Sequence, residues 1–164
     1  MKTKPRDIGT AAETATVKIL RPYWPTADRS PLRGNRDQGD IRGTGDFIWE
    51  IKAGKAAREV HREMLKTWLT QTRVEQENAD AGYGILVTTR LGYGPDRADK
   101  WWAWVPVDQF AQLLGQEYIP LEFAWPVRME LGDLLMMLAD LGYTDAAPWT
   151  DPTAPAELLE VTNG

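Results

Sequence analysis

Three residues in one short stretch have the types and spacing to act on a phosphate. In "GDIRGTGDFIWEIKAGK", residues 39 to 55, nine residues separate Asp40 from Glu50, and Lys52 stands two beyond Glu50. Two carboxylates brought together on adjacent strands make a site for a hard divalent cation such as Mg2+. That ion takes one or two protein carboxylates and keeps water and substrate phosphate as its other ligands. It can neutralise a phosphodiester and lower the pKa of a bound water. A lysine beside it can orient that water or stabilise the extra negative charge of the transition state. The backbone carbonyl of Ile51, between the two polar side chains, is a further oxygen donor. Asp37 and Asp46 compete with Asp40 as the first acid. Asp40 is favoured because Ile41 leads from it into a strand, whereas Asp46 falls at a turn and suits capping it. Taken alone, Glu-x-Lys is also what an exposed strand shows when it carries a surface ion pair, and such pairs contribute little.

Composition narrows the chemistry. The 164 residues include no cysteine and a single histidine, His61. Disulfides, thiolate nucleophiles, zinc-thiolate sites and histidine cages are therefore excluded, and hydrolysis would rest on carboxylates, lysine and an oxygen-loving ion. No apolar run approaches the length of a membrane span, and the start "MKTKPRDIGTAAETATV" lacks the apolar core of a signal peptide. A cytoplasmic protein with no membrane partner is expected. The net charge of −5 is unevenly spread. Residues 1–73 carry 15 Lys and Arg against 9 Asp and Glu, and residues 74–164 carry 4 against 15. A basic first half points to a polyanionic ligand for one face, the other reading being chance segregation or charges that balance across a dimer.

The elements that position these residues follow from periodicity. Residues 7–21 read as a helix ended by Pro22. A loop rich in Pro, Gly, Asp and Asn follows, with Arg29, Arg33 and Arg36 in it. "DIRG" and "DFIWEIKA" read as two strands joined by a turn at Gly43-Thr44-Gly45. Period two puts Ile48, Glu50 and Lys52 on one face and Phe47, Trp49 and Ile51 on the other. A long helix is expected over about 55–79, since no proline or glycine interrupts the stripe of Val60, Met64, Trp68 and Leu69. His61 would lie on its surface. Residues 83–89 read as a central strand and 101–107 as another, whose Trp101, Trp102 and Trp104 suit stacking on bases or, as is commoner for alternating tryptophans in a strand, a core or dimer interface. A short helix with Asp108 as its cap comes next. Residues 121–127 suit a last strand or an extended arm, and 129–143 an amphipathic helix. The proline-rich acidic end reads as a flexible tail. This order is an α/β pattern.

The spacing of Asp40 and Glu50-Ile51-Lys52, with a helical Glu13 upstream, resembles the PD-(D/E)XK nuclease superfamily. Within it, the order of elements over about residues 5–107 is most similar to archaeal-type Holliday-junction resolvases and their phage relatives. The proline that would precede the first acid is replaced by Gly39. The resemblance implies a restriction-endonuclease-like core over residues 1–125, with a central mixed β-sheet flanked by helices. Residues 126–164 would be an extension of one helix and an acidic flexible tail. It implies Glu13, Asp40 and Glu50 as metal ligands, joined by the Ile51 carbonyl, and Lys52 as the catalytic lysine. It further implies Mg2+ or Mn2+, hydrolysis of DNA phosphodiesters at branched or junction DNA, and a homodimer, because two symmetric nicks need two sites. The alternatives are a recombination exonuclease or restriction-like enzyme of the same superfamily, and a non-catalytic DNA-binding protein on the same fold. Lys4, Arg6, Arg29, Arg33, Arg36 and Lys55 would contact DNA phosphates. For Glu13 a solvated helix face stays open as the other reading. Gln71 occupies the place of a helical glutamine found in some exonuclease members, but Glu75 stands where their tyrosine would be, so Gln71 reads as structural.

Overall fold

A computed structural model describes residues 4–31, 37–117 and 125–147. Helix α1 spans Pro5–Leu20, its proline at the first turn, where a missing N–H costs nothing. Strands β1 (Asp28–Arg29), β2 (Ile41–Arg42) and β3 (Phe47–Lys52) form an antiparallel meander. Helices α2 (Lys55–Arg58) and α3 (Arg62–Asn78) then lead to β4 (Tyr83–Thr88), which is parallel to β3. A 3₁₀ helix (Pro95–Lys100), β5 (Trp102–Pro106), α4 (Val107–Leu113), β6 (Pro126–Glu130) and α5 (Leu131–Asp140) complete the order. The six strands lie in one mixed sheet in sequence order, with β3–β4 its parallel pair.

The strand alternation expected in β3 holds. Phe47, Trp49 and Ile51 enter the larger core with α1 residues Ala12, Ala15, Val17 and Leu20 and α5 residues Leu131, Leu134, Leu135 and Leu138. Trp24, Phe47, Trp49, Tyr83 and Tyr143 pack as an aromatic cluster, with Phe47 and Tyr83 ring centroids 5.0 Å apart. Thr44 ties the turn to this core: its hydroxyl accepts from the Trp49 indole at 3.0 Å and donates to the Phe47 carbonyl at 2.9 Å. On the other face a smaller cluster joins Leu69 of α3 to Leu86 and Trp104.

Three expectations are corrected. The helix expected over 55–79 is broken at residues 59–61. His61 adopts extended backbone there, and its Nδ1 accepts the Met64 N–H at 3.3 Å, so it caps α3 rather than lying on the surface of one continuous helix. Asp108 does not cap α4. Pro106 occupies the cap position, and the Asp108 carboxylate takes the Arg73 guanidinium at 3.0 Å. The sheet also runs past residue 125, since β6 pairs with β5 and α5 packs into the main core. The expected tail beyond 147 and most of the segment before β6 lie outside the described residues.

Candidate functional site

Asp40 sits where β2 begins, and its backbone is fixed from both sides. Its N–H donates to the Trp49 carbonyl at 2.7 Å, and its carbonyl accepts from the Ser30 N–H at 2.8 Å. Gly39 before it has φ +88°, a left-handed conformation that proline cannot adopt, and a Cβ there would stand 3.1 Å from the Trp49 carbonyl oxygen. The glycine in place of the expected proline therefore has a geometric reason. The Asp40 side chain turns back onto β3, where Oδ2 accepts the Ile51 N–H at 2.7 Å. In a strand a residue's N–H and C=O point to the same edge. The Ile51 carbonyl thus lies on the Asp40 side of β3.

Glu50 and Lys52 project from the opposite sheet face to Trp49 and Ile51, toward α3. Glu50 is only 5% exposed, and its Oε1 lies 2.5 Å from Lys52 Nζ. Lys52 Nζ also donates to Gln71 Oε1 at 3.1 Å and lies 5.9 Å from the Trp68 ring centroid. Gln71, read from the sequence as structural, thus bonds the lysine beside Glu50. One turn further along α3 is Glu75, 2% exposed. Both its carboxyl oxygens are shut off from solvent without a hydrogen bond of good geometry, although Glu50 and Gln71 stand close enough to act on its charge.

Crowding and burial raise the proton affinity of these acids. The Asp40 carboxyl is pushed up to about 7, first by desolvation and then by the Glu50 charge, with the Ile51 N–H opposing. Glu50 is also pushed up to about 7, first by desolvation and then by Glu75, with Lys52 opposing. Burial raises Glu75 as well. The group has more buried negative charge than its one lysine can balance. A bound cation would supply the missing charge, which is the sense in which these residues fit Mg2+ or Mn2+. Among the described residues no three His, Cys or acidic side chains close into a metal cage. Asp40 and Glu50 would offer two carboxylates, the number Mg2+ takes when water and phosphate are its other ligands.

The other expected site residues are more peripheral. Glu13 acts on Asp40 through its charge, but its carboxylate is held by Arg29, with Oε2 2.7 Å from both Nε and Nη2. Arg29 is correspondingly occupied. Lys4 and Arg6 are exposed at the start of α1, and Lys55 is exposed at the start of α2, 4.0 Å from Glu59. Arg33 and Arg36 lie outside the described residues. Asp46 serves the scaffold: its Oδ1 accepts the Gly82 N–H at 2.7 Å and ties the start of β3 to that of β4. Asp37 bonds the Gly39 N–H, and its loop is tied to the end of α3 through Gln38 and Asn78.

No family model, curated protein or solved structure matches the chain. Among the described residues no helix is long and apolar enough to cross a membrane.

Gln71 and Glu75, which lie outside the Asp40, Glu50, Lys52 motif and were read only through the resemblance, stand against these residues. The available signal was their i,i+4 spacing, which puts two polar side chains on one helix face, together with the buried Thr72 and Leu69 beside them.

Proposed function

We propose that the chain is a metal-dependent DNA endonuclease that hydrolyses phosphodiesters in branched DNA, in the manner of a Holliday-junction resolvase. The observation that carries this reading is the meeting of Asp40, Glu50 and Lys52 at one end of the β2–β3 meander. Buried carboxylates crowd one another there beside a lysine held in place by Gln71. The succession of α1, a three-stranded meander, α3 and a parallel β4 supports a restriction-endonuclease-like core.

Asp40, Glu50 and the Ile51 carbonyl would hold Mg2+ or Mn2+, with Glu13 at the margin. The ion would supply a Lewis acid and an acidified water at the phosphate. The chain's own residues do the rest. The Ile51 N–H fixes the orientation of Asp40. Lys52 stands ready to exchange its contact with Glu50 for one with a phosphoryl oxygen or the attacking water, and Gln71 keeps its ammonium aimed at the site. The sheet face behind Glu50 shields that carboxylate from bulk water, which strengthens its contact with Lys52. Paired nicks at a junction call for a homodimer.

The test compares a four-way junction, a flap and linear duplex, each with Mg2+, with Mn2+ and in chelator. The expected result is cleavage of the junction with metal and none in chelator. Asp40→Asn, Glu50→Gln and Lys52→Ala should each lose roughly 100-fold or more in rate while still binding the junction. Full activity in Glu50→Gln and Lys52→Ala would end the assignment. The contact between Lys52 and Gln71 favours a second reading within the same chemistry, a recombination exonuclease. Progressive shortening of linear duplex without preference for junctions would select it.

A further inference from the structure

The strand register carries the site's rows across the sheet. Lys52 pairs with Thr88, Thr88 with Trp102, and Trp102 with Glu130. One row below, Glu50 pairs with Leu86, Leu86 with Trp104, and Trp104 with Arg128. Directly paired residues share a face, so Trp102 and Arg128 lie on the same side of the sheet as Glu50 and Lys52. Helix α3 covers Leu86 and Trp104 through Leu69, whereas Trp102 stays half-buried and Arg128 exposed.

The charges at this place are not equivalent. Arg90 stacks on Trp102, its guanidinium carbon 4.0 Å from the ring centroid, but it is committed to Glu130 at 2.8 Å. Lys100 takes the other Glu130 oxygen at 2.6 Å. Arg128 lies over the same Trp102 ring at 4.3 Å and over Trp104 at 5.5 Å. Among the described residues no carboxylate lies within ion-pair distance of it. A guanidinium that stacks on an indole does not spend its N–H donors on the ring, and those donors match the oxygens of a phosphate.

We infer that Arg128, oriented by Trp102, anchors a backbone phosphate of the DNA strand that enters the acidic site. This rests on the nuclease reading above. Three strand spacings separate the Arg128 position from that of Glu50, about 14 Å across the sheet. The contact would be blind to sequence, as phosphate contacts are, and would fix where the strand lies relative to the site.

The test is binding of a labelled four-way junction by anisotropy across a salt series in Ca2+, with cleavage followed separately in Mg2+. Arg128→Gln should weaken binding about tenfold near 0.1 M salt and lower the slope of log affinity against log salt by about one phosphate's worth. Trp102→Leu should weaken binding with the slope kept, because the charge remains but loses its orientation. Lys18→Gln, a charge removal on α1 on the opposite side of the sheet, should change neither. Thermal melts of each variant separate unfolding from lost contact, since loss of a merely structural arginine would move the melting point and not the salt slope. Normal binding and an unchanged slope in Arg128→Gln, with wild-type cleavage intact, overturns the anchor and leaves the nuclease standing. A wild-type protein that neither binds nor cleaves the junction overturns both.

Discussion

At the scale of single residues, the site stands out for its excess of acid. Asp40 is raised from the ordinary 3.8 and Glu50 from 4.5, both to about 7, so the folded chain holds their protons more tightly than the unfolded chain does. The stability this gives is fully present below about pH 4, declines as pH rises toward 7, and is gone above it. A tenfold difference in proton affinity is worth about 1.4 kcal/mol, so the two coupled carboxyls together cost a few kcal/mol at pH 8. In chelator, Asp40→Asn should therefore melt higher than wild type at pH 8, and the gap should close toward pH 5. Asparagine keeps an oxygen for the Ile51 N–H, so the change tests charge rather than geometry. Added Mg2+ should raise the wild-type melting point at pH 8 and leave Asp40→Asn unmoved. A wild type equally stable at pH 5 and 8 in chelator would contradict the crowding. The shared face of Glu50 and Lys52 was legible in the sequence because strand alternation fixes a face once the apolar residues are placed, and Asp40 was picked out by Ile41, which leads from it into a strand. Gln71 was named only through the resemblance and read as structural, and the burial of Glu75 was not legible, because a glutamate in a polar helix sequence looks solvated until the helix has a sheet to pack against.

At the scale of elements, strands were read more surely than helix ends. Phe47, Trp49 and Ile51 declare β3 by period and by bulk, and the core confirms their face. The break before α3 carries no glycine or proline, and a histidine is an uncommon cap. Its cause is local: the His61 ring satisfies one of the N–H groups left open at the start of α3. His61→Ala should cost about 1 kcal/mol, read as a lower denaturant midpoint at constant slope. Cleavage should survive, because Gln71 and Glu75 lie more than two turns further along the helix. A loss of cleavage in a well-folded His61→Ala protein would mean that the α2–α3 corner reaches the substrate itself.

At the scale of the whole molecule, β6 and α5 are not an appendage. The boundary expected at 125 came from the fading of the family-like pattern there, and pattern alone does not say what a helix packs against. Leu131, Leu134, Leu135 and Leu138 of α5 are fully buried in the same core as α1 and β3. The Leu131 N–H donates to the Trp101 carbonyl at 2.8 Å, and Gly132 lets α5 approach the Asp99 backbone. Burying a leucine contributes about 1.5–3 kcal/mol. Four of them are thus comparable to the entire net stability of a domain, about 5–15 kcal/mol. A chain ending at residue 125 should show no cooperative unfolding transition. The full chain should unfold in one step, with far-UV circular dichroism and tryptophan fluorescence tracing coincident curves. Trp24 and Trp49 report the α1 side of the core and Trp101 the α5 side, so a separable C-terminal unit would split the fluorescence curve from the dichroism curve. A folded 1–125 fragment that still cut junction DNA would show that the sheet needs neither β6 nor α5, and would remove Arg128 from the binding surface at the same time.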